Sequence, residues 1–226
     1  GFRGAVLLKP GVYDCEKPLV INTSGVVFRG SGSGENGTVL NLIGKPHAAV
    51  SVRGEVRWKV MGEATTMTDS YVASGSTSFA VADASGLKAG DTIRITRPIN
   101  DTWIEFMGMH QLVRSGKKQT WISGDITTER TIAKIEKNKI TVDVPLNDSY
   151  DSKYISPAVT VQKITATGLL TQIGIENFRI LAAAQSVTIN EGHHRAFTMS
   201  GLSDGWARNI EVFNTVNSIS VTGRRI

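Results

Sequence analysis

Three very short apolar runs near the start of the chain constrain the fold more than any other feature. They lie at 19–21, 26–28 and 38–40, and glycine, serine and asparagine fill the segments between them. Runs of this length that are rich in β-branched residues are typical of strands and are too short for ordinary helices. Glycine accepts the positive φ of a sharp corner. Short strands joined by sharp corners predict a coil that stacks on itself.

The corners between these runs carry recognisable motifs. Within 4–40 they are a Pro-Gly-Val-Tyr corner at 10–13, a Ser-Gly-Val turn at 24–26 and an Arg-Gly-Ser-Gly strand end at 29–32. In this order they resemble the opening rungs of the pectate-lyase-like superfamily of right-handed parallel β-helices. A second match covers 173–180 and 206–212. That superfamily includes lyases, glycoside hydrolases, esterases and phage tailspikes, so the resemblance specifies a scaffold rather than a reaction.

The resemblance implies an all-β chain, folded as a right-handed parallel β-helix (a solenoid) that a small β-rich insertion interrupts. We expect the first rungs at 1–56, the insertion at 57–165 and the resumed rungs at 166–226. In the insertion the strands lengthen and alternate apolar with polar residues, as at 91–95. Such alternation is typical of half-buried antiparallel strands and predicts a barrel or folded sheet. Asparagines beside the later strands, such as Asn177 and Asn209, are expected to hydrogen-bond from rung to rung.

The two ends of the chain resemble the interior of a solenoid. Residue 1 falls where the family pattern is already under way, and the strand at 218–223 has no closing cap. Because a solenoid needs capped ends, we expect the remainder of a longer β-helix chain. The sequence contains no signal peptide, and the resemblance implies an extracytoplasmic location, secreted or periplasmic.

Composition narrows the function classes. The chain has 25 basic and 20 acidic residues, a net charge of +5, and dense basic pairs only at 117–118 and 224–225. This charge fits either a solvated surface or a cleft for an anionic polymer. No nucleic-acid motif and no run long enough to span a membrane is present. The single cysteine, Cys15, has no partner for an internal disulfide and is interpreted as a small buried residue.

Two irregular segments hold the residues that we expect to form the site. The first is interpreted as a long loop within the insertion, and the second interrupts the later rungs. Aromatic side chains stack on sugar rings, arginine pairs with carboxylates, and histidine transfers protons near neutral pH. The predicted substrate-binding residues are Trp103, Glu105 and Trp121. The predicted catalytic candidates are His110, Arg114, Arg130, His193, His194 and Arg195.

Each of these segments also has a structural interpretation. The large apolar residues of the insertion could instead seal the insertion against the β-helix, and the His-His-Arg segment could instead be an exposed polar loop. On a strand, His193 and His194 would point to opposite faces, so that only one could serve a site. The two segments would then be unrelated surface features.

The expected function is action on an acidic polysaccharide by β-elimination, for which a cation neutralises the uronate carboxylate and a base removes a proton. Glycoside hydrolysis is the second reaction considered, although the Asp-rich motif of the polygalacturonase branch is missing. The alternative is a non-catalytic glycan-binding or structural module, such as an adhesin or a tailspike-like protein. The expected partner is therefore a polysaccharide substrate or glycan ligand.

Cofactors are not assigned. Asn147, Asp148 and Asp151 offer oxygens suited to Ca²⁺, although no twelve-residue calcium loop surrounds them. The sequence has neither the HExxH motif nor the paired cysteines of zinc sites, and it has no phosphate-binding glycine loop. The metal is left unassigned, with calcium as the one candidate.

Overall fold

The computed structural model describes residues 2–118 and 124–226, and the chain divides into two compact units. One unit, the β-helix unit, comprises Gly1–Arg57 with Ala166–Ile226, and the other, the insertion unit, comprises Trp58–Thr165. Nearly all regular structure is β, as the sequence predicts. No helix in the described ranges is long and apolar enough to cross a membrane.

Strands are numbered along the chain. The first six are β1 (Gly4–Leu7), β2 (Gly11–Cys15), β3 (Leu19–Ile21), β4 (Val26–Arg29), β5 (Thr38–Leu42) and β6 (Ala48–Arg53). Then come β7 (Arg57–Thr66), β8 (Tyr71–Val72), β9 (Ser78–Ala80), β10 (Thr92–Arg97), β11 (Val113–Arg114), β12 (Lys117–Lys118), β13 (Ile126–Glu136), β14 (Lys139–Val142), β15 (Tyr150–Asp151) and β16 (Thr160–Thr167). The last three are β17 (Leu170–Ala182), β18 (Arg195–Phe213) and β19 (Ile219–Arg224).

The β-helix unit is a coil of parallel strands. β1 pairs with β4, β4 with β17, and β17 with β18 along one side of the coil. A second side stacks β2, β5 and the latter half of β17, and a third stacks β3, β6, the start of β18, and β19. Because β17 and β18 turn corners, each contributes to more than one side. The parallel β-helix predicted from the sequence is confirmed.

The corners of β17 and β18 depend on residues that tolerate positive φ. Asn177 and Asn209 have φ of 60° and 51°, in the left-handed region that asparagine accepts better than most residues. The Asn209 Nδ2 group donates to Asn177 Oδ1 at 3.0 Å, across one rung. The predicted hydrogen bond between stacked asparagines is therefore confirmed for this pair.

Alternate residues of each strand fill the inside of the coil. Ile173, Ile175, Phe178 and Ile180 of β17 are fully buried there. Phe178 packs edge-on against Phe28, with ring centroids 5.5 Å apart. Each such side chain contributes roughly 1.5–3 kcal/mol through burial. This packing fixes which residues of the same strands face outwards.

The insertion unit is a curled, six-stranded sheet in the order β7-β16-β10-β13-β14-β9. An isolated bridge between Met67 and Val81 joins the two ends of that order and closes the sheet on itself. Ile93 and Ile95 point into its core, as their alternation predicts.

The sequence predicted one long loop for the irregular segment of the insertion unit, but the segment contains regular structure. Helix α1 covers Asp101–Phe106, a 3₁₀ turn covers Met109–Gln111, and β11 pairs with β12. Asn100 caps α1, because its Oδ1 accepts from the Trp103 backbone N–H at 2.9 Å.

Candidate functional site

Glu176 is the most unusual side chain on the outer surface of the β-helix unit. It follows Ile175, which points into the core, so its own side chain points outwards. Its exposed fraction is nevertheless 0%. A carboxylate is this well covered only when neighbouring groups compensate its charge.

Three side chains from adjacent rungs cover Glu176. In the strand register it lies between Arg29 of β4 and Arg208 of β18. The Arg29 Nε donates to Oε1, and the Arg208 Nε donates to Oε2 at 2.6 Å. The Trp206 Nε1–H also donates to Oε2, at 2.8 Å. We call these four residues the arginine cluster.

The arginine cluster holds the Glu176 carboxylate in its ionised form. Burial alone would raise its pKa, but the hydrogen bonds from Arg208, Trp206 and Arg29 outweigh burial and lower the pKa from 4.5 to about 2. The group therefore stays charged at neutral pH. It has no proton to give as a general acid, and it acts as a fixed anion that orients its cations.

The two arginines remain open on their other edge. The side chain of Arg29 is 42% exposed and that of Arg208 is 60% exposed. Among the described residues, neither arginine makes a hydrogen bond through its Nη atoms. The Nε edge is used by Glu176, and the Nη groups face solvent. Because one strand lies between β4 and β18, the Cα atoms of the two arginines are about 9.6 Å apart, twice the usual strand spacing. Their guanidinium groups are closer, because both contact the carboxylate of Glu176.

Trp206 lies beside the arginines because Gly174 leaves room for it. A Cβ on Gly174 would stand 2.3 Å from the indole Cε2 and 2.4 Å from Cζ2. The indole therefore lies directly over the backbone of β17 and remains partly exposed. An aromatic surface next to two outward guanidinium groups suits a ligand that combines an apolar ring face with anionic substituents.

Arg179, a neighbouring arginine, differs from Arg29 and Arg208 because its guanidinium is fully engaged by other groups of the chain. Arg179 donates to Ser33 O at 3.1 Å and to Glu211 Oε2 at 2.6 Å, and its Nη1 lies 3.5 Å from Glu35. Its guanidinium also packs over the Phe213 ring. All of its polar edges have partners within the chain, in contrast to Arg29 and Arg208.

The predicted His193-His194-Arg195 segment is built into the β-helix unit. Both histidines are buried, so the alternative that they form an exposed polar loop is wrong. The His193 Nδ1 lies 2.6 Å from Glu191 O, and its Nε2 lies 3.4 Å from the Arg195 Nε. Arg195 is the first residue of β18. Their assignment as catalytic groups stays a prediction.

His194 packs against a second histidine, His47. Its Nδ1 accepts from the His47 backbone N–H at 3.3 Å, and the two rings are 5.0 Å apart, edge to face. Burial and the neighbouring His47 lower the pKa of His194 below 6.5. Its ring is therefore neutral at pH 7, as a general base requires, but its Nδ1 is already engaged.

Trp103 and Arg130 hold the insertion unit together. Trp103 packs on the apolar core of that unit and stacks on Arg97, with the guanidinium carbon 4.4 Å from the ring centroid. Arg130 donates to three backbone carbonyls, of Glu129, Val144 and Pro145, and to the Asn147 side chain. Trp103 therefore packs within the insertion unit itself, and the donors of Arg130 are occupied.

The remaining predicted residues of the insertion unit are dispersed along the segment. Glu105 is exposed on α1, Arg114 is exposed on β11, and His110 is partly buried with a buried, unpartnered Nδ1. Trp121 lies outside the described residues. Since the two predicted groups belong to different units, the single shared site stays a prediction.

The proposed calcium oxygens already have partners in the chain. Asp148 Oδ2 lies 2.9 Å from the Nε of the buried Arg97, and Asp151 Oδ1 accepts from the Lys153 backbone N–H. This Arg97 contact is an ion pair by distance, although neither Nε nor Nη1 of Arg97 has a partner in hydrogen-bond geometry. Within the described parts of the chain, no group of three His, Cys, Asp or Glu side chains is arranged to hold a metal. Calcium stays a prediction.

Sequence reasoning missed the arginine cluster because its members lie inside the rung motifs and were interpreted as scaffold. A signal was present in the sequence. In three rungs a charged residue directly precedes the corner residue: Arg29 before Gly30, Glu176 before Asn177, and Arg208 before Asn209. Stacking such corners places the charges beside one another.

Three solved structures with a similar course of the chain are phage tailspikes. This chain is similar to the tailspike gp61 of Pseudomonas phage phi297, at 12% identity and a TM-score of 0.47, over 92% of this chain and 29% of that one. It is also similar to the gp54 tailspike of Acinetobacter baumannii bacteriophage AP22 in complex with A. baumannii capsular saccharide. The identity is 15% and the TM-score 0.36, over 92% of this chain and 41% of that one. The third structure is the tailspike gp49 of Pseudomonas phage LKA1, at 14% identity and a TM-score of 0.37, over 90% of this chain and 38% of that one.

The chain thus spans less than half the length of each of these structures, and at these values the similarities say nothing about its chemistry. No protein-family model matches the sequence, and no curated protein matches it either. The resemblance to the pectate-lyase-like superfamily rests on the sequence motifs alone.

Proposed function

We propose that the β-helix unit recognises an acidic saccharide on its outer surface, through the arginine cluster. The observation that carries this proposal is the pair of arginines whose Nε edges are held by one buried carboxylate and whose Nη groups face solvent. The cluster carries two positive charges and one negative charge. Its net charge therefore favours an anionic ligand.

The geometry of the cluster matches the chemistry of a uronate sugar. A guanidinium edge pairs with a carboxylate through two parallel hydrogen bonds, which a lysine ammonium does not reproduce. Glu176 holds both guanidinium groups in place before the ligand arrives, so little side-chain entropy is lost on binding. The partly exposed indole of Trp206 offers an apolar surface for a sugar ring.

Binding is the function that the cluster supports best. Glu176 is ionised and accepts three hydrogen bonds, so it is a poor base and no acid. Cleavage by β-elimination is the second candidate, because an arginine that neutralises a uronate carboxylate also stabilises the transition state of that reaction. The predicted catalytic histidines and arginines belong to that second candidate.

The test is a calorimetric titration with oligogalacturonate and oligoalginate, with a neutral maltooligosaccharide for comparison. We expect binding of an acidic oligosaccharide, and a loss of about tenfold or more in affinity for Arg208→Lys and Arg208→Gln. The lysine variant keeps a cation for Glu176 but loses the fork. Lys17→Gln, an exposed cation of the same unit, controls for general charge effects.

Two results would decide against the proposal. One is the absence of binding to any acidic saccharide, and the other is equal affinity for the wild type and both Arg208 variants. The ultraviolet absorbance of the mixture, followed over time, separates the two candidate functions. An unsaturated product identifies a lyase, whereas stable binding without product supports a recognition module.

A further inference from the structure

A second concave surface of the β-helix unit lies at a corner that the arginine cluster does not include. It is a hollow of about 650 Å³, within the range of small-ligand sites. Its lining belongs entirely to the β-helix unit. The side chains of Val20, Asn22, Arg53, Glu55, Leu169 and Leu170 line it.

The floor of this hollow is the backbone of closely packed rungs. A Cβ on Gly54 would stand 2.1 Å from Gly201 O, and a Cβ on Gly168 would stand 2.0 Å from Glu55 O. Only glycine allows the rungs to approach this closely, and the Gly54 N–H donates to Ser200 O at 2.9 Å. The groups on the rim are therefore attached to closely packed, hydrogen-bonded backbone.

The rim of the hollow carries one cationic and one anionic side chain, and neither makes a polar contact within the described parts of the chain. Arg53 and Glu55 are exposed on either side of Gly54. In the described parts of the chain, neither side chain makes a hydrogen bond or an ion pair. The amide of Asn22 has one long contact, as its Oδ1 accepts from the Thr23 hydroxyl at 3.4 Å. Donors and acceptors thus converge on a polar hollow with balanced charge.

This donor set differs from that of the arginine cluster. A carboxylate accepts from sugar hydroxyl groups, a guanidinium donates to them, and an amide does both. Val20 and Leu169 add an apolar contact for the C–H face of a ring. Balanced charge gives no preference for an anion, so the chemistry fits an uncharged sugar that is rich in hydroxyl groups.

We propose that this hollow is a subsite for a neutral sugar, and that it takes a different residue of the same saccharide that the arginine cluster holds by its acidic groups. The idea of one shared ligand rests on the proposed function. β17 joins the two places, since Leu170 lines the hollow and Glu176 lies six residues further on. At ~3.3 Å per residue they are at most about 20 Å apart, so an oligosaccharide of mixed charge reaches both.

The experiment uses the whole chain and neutral disaccharides, namely cellobiose, lactose and maltose, titrated at millimolar concentration and followed by backbone amide NMR. We expect one of them to shift the amides of 53–55 and 168–170 and to leave those of 206–208 unchanged. Glu55→Gln should weaken that binding by about tenfold. Glu16→Gln, an exposed carboxylate of the same unit, is the matched control and should leave it unchanged.

The outcome is independent of the acidic-saccharide test. If no neutral disaccharide shifts the amides of the hollow, or if Glu55→Gln and Glu16→Gln behave alike, the subsite is refuted even where oligogalacturonate binds the arginine cluster. If the neutral sugar binds the hollow but no acidic saccharide binds Arg208, the subsite stands and the proposed function fails.

Discussion

Replacement of Glu176 by glutamine tests the central feature of the β-helix unit. The substitution keeps the shape of the side chain but removes the charge that holds Arg29 and Arg208. Glu176 is fully buried, and its hydrogen bonds lower its pKa from 4.5 to about 2. We therefore expect the variant to be less stable than the wild type at pH 7.

The magnitude follows from the pKa. At about 1.4 kcal/mol per pKa unit, the difference between 4.5 and about 2 corresponds to on the order of 3 kcal/mol. Both arginines are partly exposed, and solvent screening reduces the value, so we expect a loss of about 2 kcal/mol. Glu211→Gln removes a carboxylate that is 43% exposed from its pair with Arg179, and we expect this control to lose less than about 1 kcal/mol.

The sign of the pH dependence is fixed by the lowered pKa. The stabilisation is complete above pH 4.5 and is lost as the pH falls towards 2, because the folded protein must then take up a proton that the unfolded chain already holds. Denaturant-dependent hydrogen exchange of a β17 peptide at pH 7, 5 and 3 measures it in the β-helix unit alone. A difference between wild type and Glu176→Gln below about 0.5 kcal/mol at pH 7, or one that does not shrink at pH 3, would refute the reasoning.

Several substitutions and one titration test the fold and the remaining predicted residues. Phe178→Ala should destabilise the β-helix unit by about 3–5 kcal/mol in denaturant unfolding, whereas the exposed Val20→Ala should change it by less than about 0.5 kcal/mol. Asn177→Ala should lose about 1 kcal/mol in the same assay and Asn177→Gly less, because the site has positive φ. Arg130→Ala should lower the thermal stability of the insertion unit, because the side chain donates to backbone carbonyls there, and should leave saccharide affinity unchanged. A loss of affinity in this variant would instead identify Arg130 as a residue that contacts the ligand. The NMR titration of His194 should have its midpoint below pH 6.5. The neutral, buried ring then contributes fully to folding stability above pH 6.5, and this contribution decreases as the pH falls, because the unfolded chain takes up the proton first. A midpoint above 6.5 would contradict the effect of burial.

The coil was predictable because its determinants are local. A three-residue apolar run with an asparagine or glycine after it specifies a strand and a corner without reference to the rest of the chain. The corner at Asn177 shows this, since its positive φ and its bond to Asn209 follow from the residue type and the rung period. The parallel pairing of β4 with β17 then follows from stacking, although 141 residues of sequence lie between Arg29 and residue 171.

The helix in the insertion unit was missed because its signals are short. α1 has six residues, and only the capping of its N-terminus by Asn100 marks its start. Its two aromatic residues lie in different environments, one in the core and one on the surface. No periodicity in the sequence distinguishes them. Trp103 packs inwards on the core and on Arg97, whereas Phe106 is exposed and stacks on Tyr154. Tertiary contacts decide between core and surface for such residues.

The candidate site was missed for a reason that applies to solenoids in general. Sequence reasoning looks for chemistry where regular patterns fail, because loops carry function on most folds. In a stacked coil, the same outward position of successive rungs is brought together at about 4.8 Å, so a site can form on regular strands from residues far apart in sequence. Glu176 meets Arg29 across 147 residues and Arg208 across 32. In the sequence, each residue alone has the pattern of an ordinary charge on an exposed strand face. The strand register brings the three together as a carboxylate between two cations. Aligning the rungs by their corner residues, before any search for motifs, would have placed these charges in one row.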